Sequence, residues 1–108
     1  MRFGYYILLD KIPVPEYDTI VWGMWFETAD RTVLKTQVDT GEEVSTVFLG
    51  LDHNFFFSGP PILFETLIFG GIHNNKMWRY STWEQAETGH NRIVEAIMGG
   101  DDPDDLEF

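Results

Sequence analysis

"TVLKTQVDTGEEVSTVFLGL", residues 32–51, is the stretch whose reading decides the fold. Residues 32–38 and 44–51 are rich in β-branched and apolar side chains, and Asp39-Thr40-Gly41-Glu42 lies between them. Asp and Gly favour a tight reversal, with Gly41 able to supply a positive φ, so the stretch reads as an antiparallel hairpin. Its second arm does not alternate cleanly. Val44, Thr46 and Phe48 point one way, and Val47, Leu49 and Leu51 point the other. A strand that is apolar on both faces is expected to be covered on both faces.

Outward from this hairpin the same logic repeats. Residues 62–69 form the next strand, again apolar on both faces, with Ile62, Phe64 and Ile68 set against Leu63, Leu67 and Phe69. Gly70-Gly71-Ile72-His73-Asn74-Asn75 makes a turn, and residues 76–81 complete a second hairpin. Thr82-Trp83-Glu84-Gln85 is a capping box. Behind it Ala86, His90, Ile93, Val94 and Ile97 keep helical spacing until Gly99-Gly100 ends the helix. Upstream, residues 3–9 read as a strand, and Pro13 and Pro15 are expected to stop regular pairing.

"EYDTIVWGMWFETADR", residues 16–31, fits helix or strand by content. Helix is preferred, because Asp18 is a good N-cap and Trp22, Trp25, Phe26 and Ala29 follow at i, i+3, i+4 and i+7. Gly23 opposes it by about 1 kcal/mol. The sum is an α+β fold: a mainly antiparallel sheet of about four to five strands, a C-terminal helix across one face and a helix in the N-terminal half. Residues 1–99 make one domain, and residues 100–108 are expected to be an acidic, mobile tail. One terminal helix covers only one face of the sheet. The other cover is expected to be the helix at residues 18–29 or a second copy of the chain, which makes a homodimer an open expectation.

The chain has 108 residues, 44% hydrophobic and 16% aromatic, which is enough apolar material for one core and argues against disorder. It has no cysteine, so disulfides and thiolate metal sites are excluded and a reducing interior is the better expectation. No signal peptide or membrane-spanning run is legible. The net charge is −11, and taking away the five carboxylates of "DDPDDLEF" still leaves −6. Direct nucleic-acid binding would work against that field, whereas basic partners, or partners that themselves bind DNA, are favoured. The ordinary reading of such a surface is solubility.

"LDHNFFFSGPPILFET", residues 51–66, holds the candidate interaction surface: Phe55, Phe56, Phe57, Pro60 and Pro61. Successive extended side chains face opposite ways, so one core cannot take all three rings. Gly59-Pro60-Pro61 keeps the segment stiff and out of the sheet. The candidate polar cluster is Asp52, His53, Glu65, Arg79 and His90. Charged groups on apolar faces need partners, and Glu65 with Arg79 or Tyr80, and His90 with Asp52 or Glu65, are the available pairs. Asp52, His53, Glu65 and His90 would suit a metal or small-ligand site, or an acid/base pair for hydrolysis. No metalloprotease, serine-hydrolase, phosphate-loop or calcium-loop spacing supports this, so a satisfied core histidine is the simpler reading, no metal is assigned, and catalysis is not the leading expectation. His73 is expected to be solvated in its turn.

The blocks "VSTVFLGLDHNF", "PPILFETLIFGG" and "RYSTWEQAETGH", between Val44 and His90, together with "WFETADR" at residues 25–31, resemble a family of small proteins encoded by bacteriophages and prophages. The resemblance covers most of residues 22–95, with three blocks in order. The phenylalanine run and the short "IHNNK" turn depart from the family's more polar loops. The family has no assigned activity, so no functional residue is carried over. The resemblance implies a phage-encoded protein in the host bacterial cytoplasm. With the acidic surface and the aromatic loop, it points to an accessory protein that acts on a protein partner. A ligand- or metal-binding protein and a structural virion component are the alternatives.

Overall fold

The computed structural model describes residues 4–56 and 58–108. In chain order its elements are β1 (Tyr6–Leu9), β2 (Ile12–Pro15), α1 (Thr19–Thr28), β3 (Thr32–Gln37), β4 (Glu43–Phe48), β5 (Phe64–Phe69), β6 (Met77–Tyr80), α2 (Trp83–Met98) and a 3-10 turn at Pro103–Asp105. The first position of the expected N-terminal strand, Phe3, and the third ring of the phenylalanine run, Phe57, lie outside the described residues.

Strands β3 to β6 form one antiparallel sheet in sequence order. The two expected hairpins are present. Gly41 takes φ 100°, as the first requires, and Asn75 takes φ 72° in the second. The central pair is in register along its whole length, with Val44 opposite Ile68, Thr46 opposite Thr66 and Phe48 opposite Phe64. These six side chains are all fully buried, on the face that α2 covers. Helix α2 begins at the expected capping box: Thr82 accepts from the Gln85 amide, and Gln85 reaches back to the Thr82 amide. Its apolar stripe brings Ile93 and Ile97 onto Val38, Val44 and Ile68.

The N-terminal strand does not join this sheet. It pairs with β2 as a separate two-stranded hairpin, joined to the main body among the described residues by a bridge from Tyr5 to Leu51, with the Tyr6 amide donating to the Gly50 carbonyl and the Asp52 amide to the Gly4 carbonyl. The prolines do not stop pairing, contrary to the expectation from sequence. Glu16 donates its amide to the Tyr5 carbonyl, so the alternating Val14 and Ile12 amides also face β1. Pro13 and Pro15 then fall where an edge strand needs no donor. Asp10 and Lys11, at φ 51° and 69°, make the two-residue reversal whose twist suits a hairpin.

Helix α1 forms as expected, with Asp18 accepting from the Ile20 and Val21 amides. It does not cover the second face of the sheet. Trp25 meets Phe48 edge-on at 5.9 Å, and Tyr6 and Leu8 pack against the same cluster of Phe48, Phe64 and Tyr80. Both N-terminal elements therefore lie on the side that α2 already occupies. The joint is Gly50, at φ 77°, where a Cβ would come within 3.1 Å of the Phe26 ring. The Trp22 indole N–H donates to the carbonyls of Tyr6 and Gly50, at 3.0 and 3.1 Å. The opposite face carries Ser45, Val47 and Leu67, with Phe69 and Met77 each 47% exposed, and no described helix packs on it.

The tail has defined contacts where free movement was expected. Pro103 is buried, and Lys76 bridges Asp102 at 3.0 Å and Asp104 at 2.8 Å. Like charges within the tail repel, but the counter-charge comes from β6's own flank. Among the described residues no helix is long and apolar enough to cross a membrane.

Candidate functional site

The polar candidates separate onto different surfaces. Side chains alternate along a strand, so Glu65 lies on the open face, while its neighbours Phe64 and Thr66 lie under α2. Glu65 accepts from Arg79 Nε at 3.1 Å across the β5–β6 pair, which resolves one of the two pairings open to it. His90 is on the other side of the sheet and fully buried. It meets neither Asp52 nor Glu65. Its Nε2 is 2.8 Å from the Thr36 hydroxyl and its Nδ1 is 2.7 Å from the Thr46 hydroxyl. The five residues therefore do not form one cluster. Among the described residues no group of three or more His, Cys, Asp or Glu side chains could hold a metal ion.

His90 belongs instead to a chain of hydroxyls that crosses all four strands. Thr36 on β3 meets His90, which meets Thr46 on β4. Thr46 meets Thr66 on β5 at 2.5 Å, and Thr66 meets the Tyr80 hydroxyl on β6 at 3.0 Å. A buried polar group without a partner is costly, so every link here compensates its neighbour. Burial pushes the His90 pKa down, which favours the neutral imidazole, and the two threonine hydroxyls can serve both its donor and its acceptor nitrogen. Burial likewise pushes the Tyr80 phenol up. Gly89 makes room for the last link, because a Cβ there would stand 2.5 Å from the Tyr80 hydroxyl oxygen.

Asp52 shapes the phenylalanine loop. It accepts from the Asn54 amide at 2.8 Å and from the Ile62 amide at 3.0 Å, which closes the two ends of the loop together. Asn54 is buried and fills the interior. Its side chain donates to the Ser58 and Pro60 carbonyls and accepts from the Phe56 amide. This is how Asx side chains replace regular pairing in a turn. The outcome is a pinned loop with Phe55 and Phe56 left 77% and 78% exposed. Pro60 is exposed and Pro61 half-buried, so the prolines stiffen the return arm. His53 bonds the Leu51 carbonyl through Nδ1 at 2.8 Å, and its ring lies 6.1 Å from that of Phe55.

Beside the loop lies a cleft of about 610 Å³. Asn54 and Pro60 line one wall, Glu84, Thr88 and Arg92 of α2 the other, and Tyr80 the floor. Two residues that matter here escaped the sequence reading, Asn54 and Arg92. Asp52-x-Asn54 is a legible turn signal, whereas the place of Arg92 depends on how α2 packs and on the tail beside it. Phe108, which with Leu106 was the tail residue able to dock, does fold back.

His73 departs from expectation too. It is 9% exposed rather than solvated, and its buried Nδ1 has no hydrogen-bond partner among the described residues. The neighbouring Glu42 is buried, with its carboxyl held below the usual range first by the Thr40 hydroxyl.

Comparison of the chain with protein-family models, with curated proteins and with solved structures finds no match. The functional reading therefore rests on the geometry above.

Proposed function

We propose that this chain is a phage-encoded accessory protein that works by protein–protein contact, with the pinned loop of Phe55 and Phe56 as its anchor. The observation that carries the reading is the contrast within the loop: Asp52 and Asn54 fix its backbone, yet both rings are more than three-quarters exposed. Aromatic side chains held ready in an ordered loop lose little entropy on binding, which is the character of an interface anchor. The resemblance to the phage family supplies the setting, the host bacterial cytoplasm. A basic host defence or nucleic-acid-handling protein is the partner class that the −11 charge favours.

The test is affinity capture from host lysate with the unaltered chain and with Phe55→Ala/Phe56→Ala. Exposed rings contribute little to folding, so the variant should melt within a few degrees of the parent. A captured protein lost with the variant supports the reading. Identical capture by both proteins, with the variant folded, removes it.

A second reading, self-association through the open sheet face, is favoured by one observation. The face pairs Lys35 with Glu43 and Arg79 with Glu65, so it is locally neutral on a strongly acidic chain, around the half-exposed Phe69 and Met77. Two copies meeting there avoid like-charge repulsion. Light scattering after size exclusion should give a dimer mass that Phe69→Lys halves. A monomer at all concentrations excludes it.

A further inference from the structure

The tail runs beside β6. Lys76 takes Asp102 and Asp104, Trp78 and Leu106 pack against the same buried cluster, and Tyr80 meets the Phe108 ring edge-on at 6.0 Å. On α2, Arg92 stacks over the Phe108 ring at 4.9 Å and donates to the Glu107 carbonyl. Lys76, Trp78 and Tyr80, two residues apart on one strand face, thus meet in order the acidic 3-10 turn at Pro103–Asp105 and the residues that follow it. Among the described residues no backbone hydrogen bond joins the tail to β6. The strap is held by side chains, and Phe108 remains 60% exposed at the mouth of the open cleft.

From this we infer that the groove between β6 and α2 is a docking site for an acidic peptide segment that ends its acidic turn in an aromatic residue, and that residues 102–108 occupy it in cis. Two features define the ligand. Lys76 and Arg92 supply the groove's positive charge on an otherwise acidic chain, Lys76 to the Asp102 and Asp104 carboxylates and Arg92 to the Phe108 ring and the Glu107 carbonyl. The Arg92 guanidinium and the Tyr80 ring make a seat for a π-face, and Phe108 already sits in it. A tethered occupant acts at an effective concentration of about millimolar, so it screens the groove against weak competitors while a tighter partner segment displaces it. The inference rests on the protein-contact reading but does not depend on the Phe55–Phe56 loop.

The experiment is fluorescence anisotropy of a labelled, amidated peptide copying residues 101–108, titrated with the unaltered chain, Phe108→Ala, Arg92→Glu and Phe55→Ala/Phe56→Ala. Phe108→Ala empties the aromatic seat without touching the core, and should bind the peptide about tenfold more tightly than the unaltered chain. Adding Arg92→Glu to that variant should cost at least about tenfold, and so should Phe→Ala in the peptide. The loop variant should bind the peptide as the unaltered chain does, so failure of the loop reading and failure of this one are separable. Equal affinity of the unaltered chain and Phe108→Ala, or affinity indifferent to Arg92, overturns the inference. So does absence of binding to Phe108→Ala at millimolar peptide, with the variant melting normally.

Discussion

Thr66 is the hinge of the hydroxyl chain, and its removal gives a calculable result. Thr66→Val keeps the shape of the side chain but deletes the bonds to Thr46 and Tyr80, at 2.5 and 3.0 Å. Thr46 keeps His90 as a partner at 2.7 Å, so it loses one bond of about 1 kcal/mol net. The Tyr80 hydroxyl, on a residue only 7% exposed, is left without a described partner, which adds about 1–2 kcal/mol. Thr66→Val should therefore cost roughly 2–3 kcal/mol. Tyr80→Phe leaves Thr66 bonded to Thr46 and should cost about 1 kcal/mol. In the double variant there is no phenol to strand, so its cost should fall short of the sum by about 1 kcal/mol or more. Urea unfolding followed by tryptophan fluorescence gives all four stabilities, with an unchanged m-value as the control for two-state behaviour. Additivity within about 0.3 kcal/mol would falsify the argument that these hydroxyls act as one network.

Three more outcomes follow from the same core. Gly89→Ala drives a Cβ into Tyr80 and should destabilise by about 1–3 kcal/mol despite the better helix propensity of Ala, which thermal unfolding would show as a clear drop. Burial lowers the folded pKa of His90 below the ordinary value of 6.5. The unfolded chain therefore binds the proton first, so this contribution is intact above that value and is lost as pH falls through the folded pKa. Melting temperature should decline between about pH 7 and pH 5, and His90→Gln should flatten that slope. Asn54→Ala removes the loop's interior bonds, so amide exchange at Phe56 should rise while that of β4 and β5 stays unchanged.

What the sequence revealed follows the range of the interactions. Both hairpins, the Asp18 cap and the Thr82–Gln85 box are written within a few residues, and all were legible. The pairing of β1 with β2 was hidden because prolines speak against strands in general but not against alternate positions on an edge. The packing side of α1 was legible in the stripe Trp22, Trp25, Phe26 and Ala29, but its seat was hidden, because the stripe does not say which face of the sheet it meets; Ile20 and Met24 stay exposed at 74% and 67%. His90 stood out as a helix-stripe histidine, but its partners Thr36 and Thr46 lie 54 and 44 residues away, beyond any local signal. The polar cluster failed for a related reason. Strand parity places Glu65 and His90 on opposite faces only once the sheet side of α2 is known. The tail looked repulsive because Lys76 and Arg92 are brought to it by the fold.

The claim that the pinned Phe55–Phe56 loop is the binding element is tested most directly by repeating the capture across a salt series, from low ionic strength to about 1 M, where the Debye length falls to about 3 Å. Contact through exposed rings predicts that the partner lost with Phe55→Ala/Phe56→Ala is still retained by the unaltered chain at high salt. Release of that partner as salt rises, with the ring variant capturing it equally well at low salt, would contradict the account and assign recognition to the acidic surface.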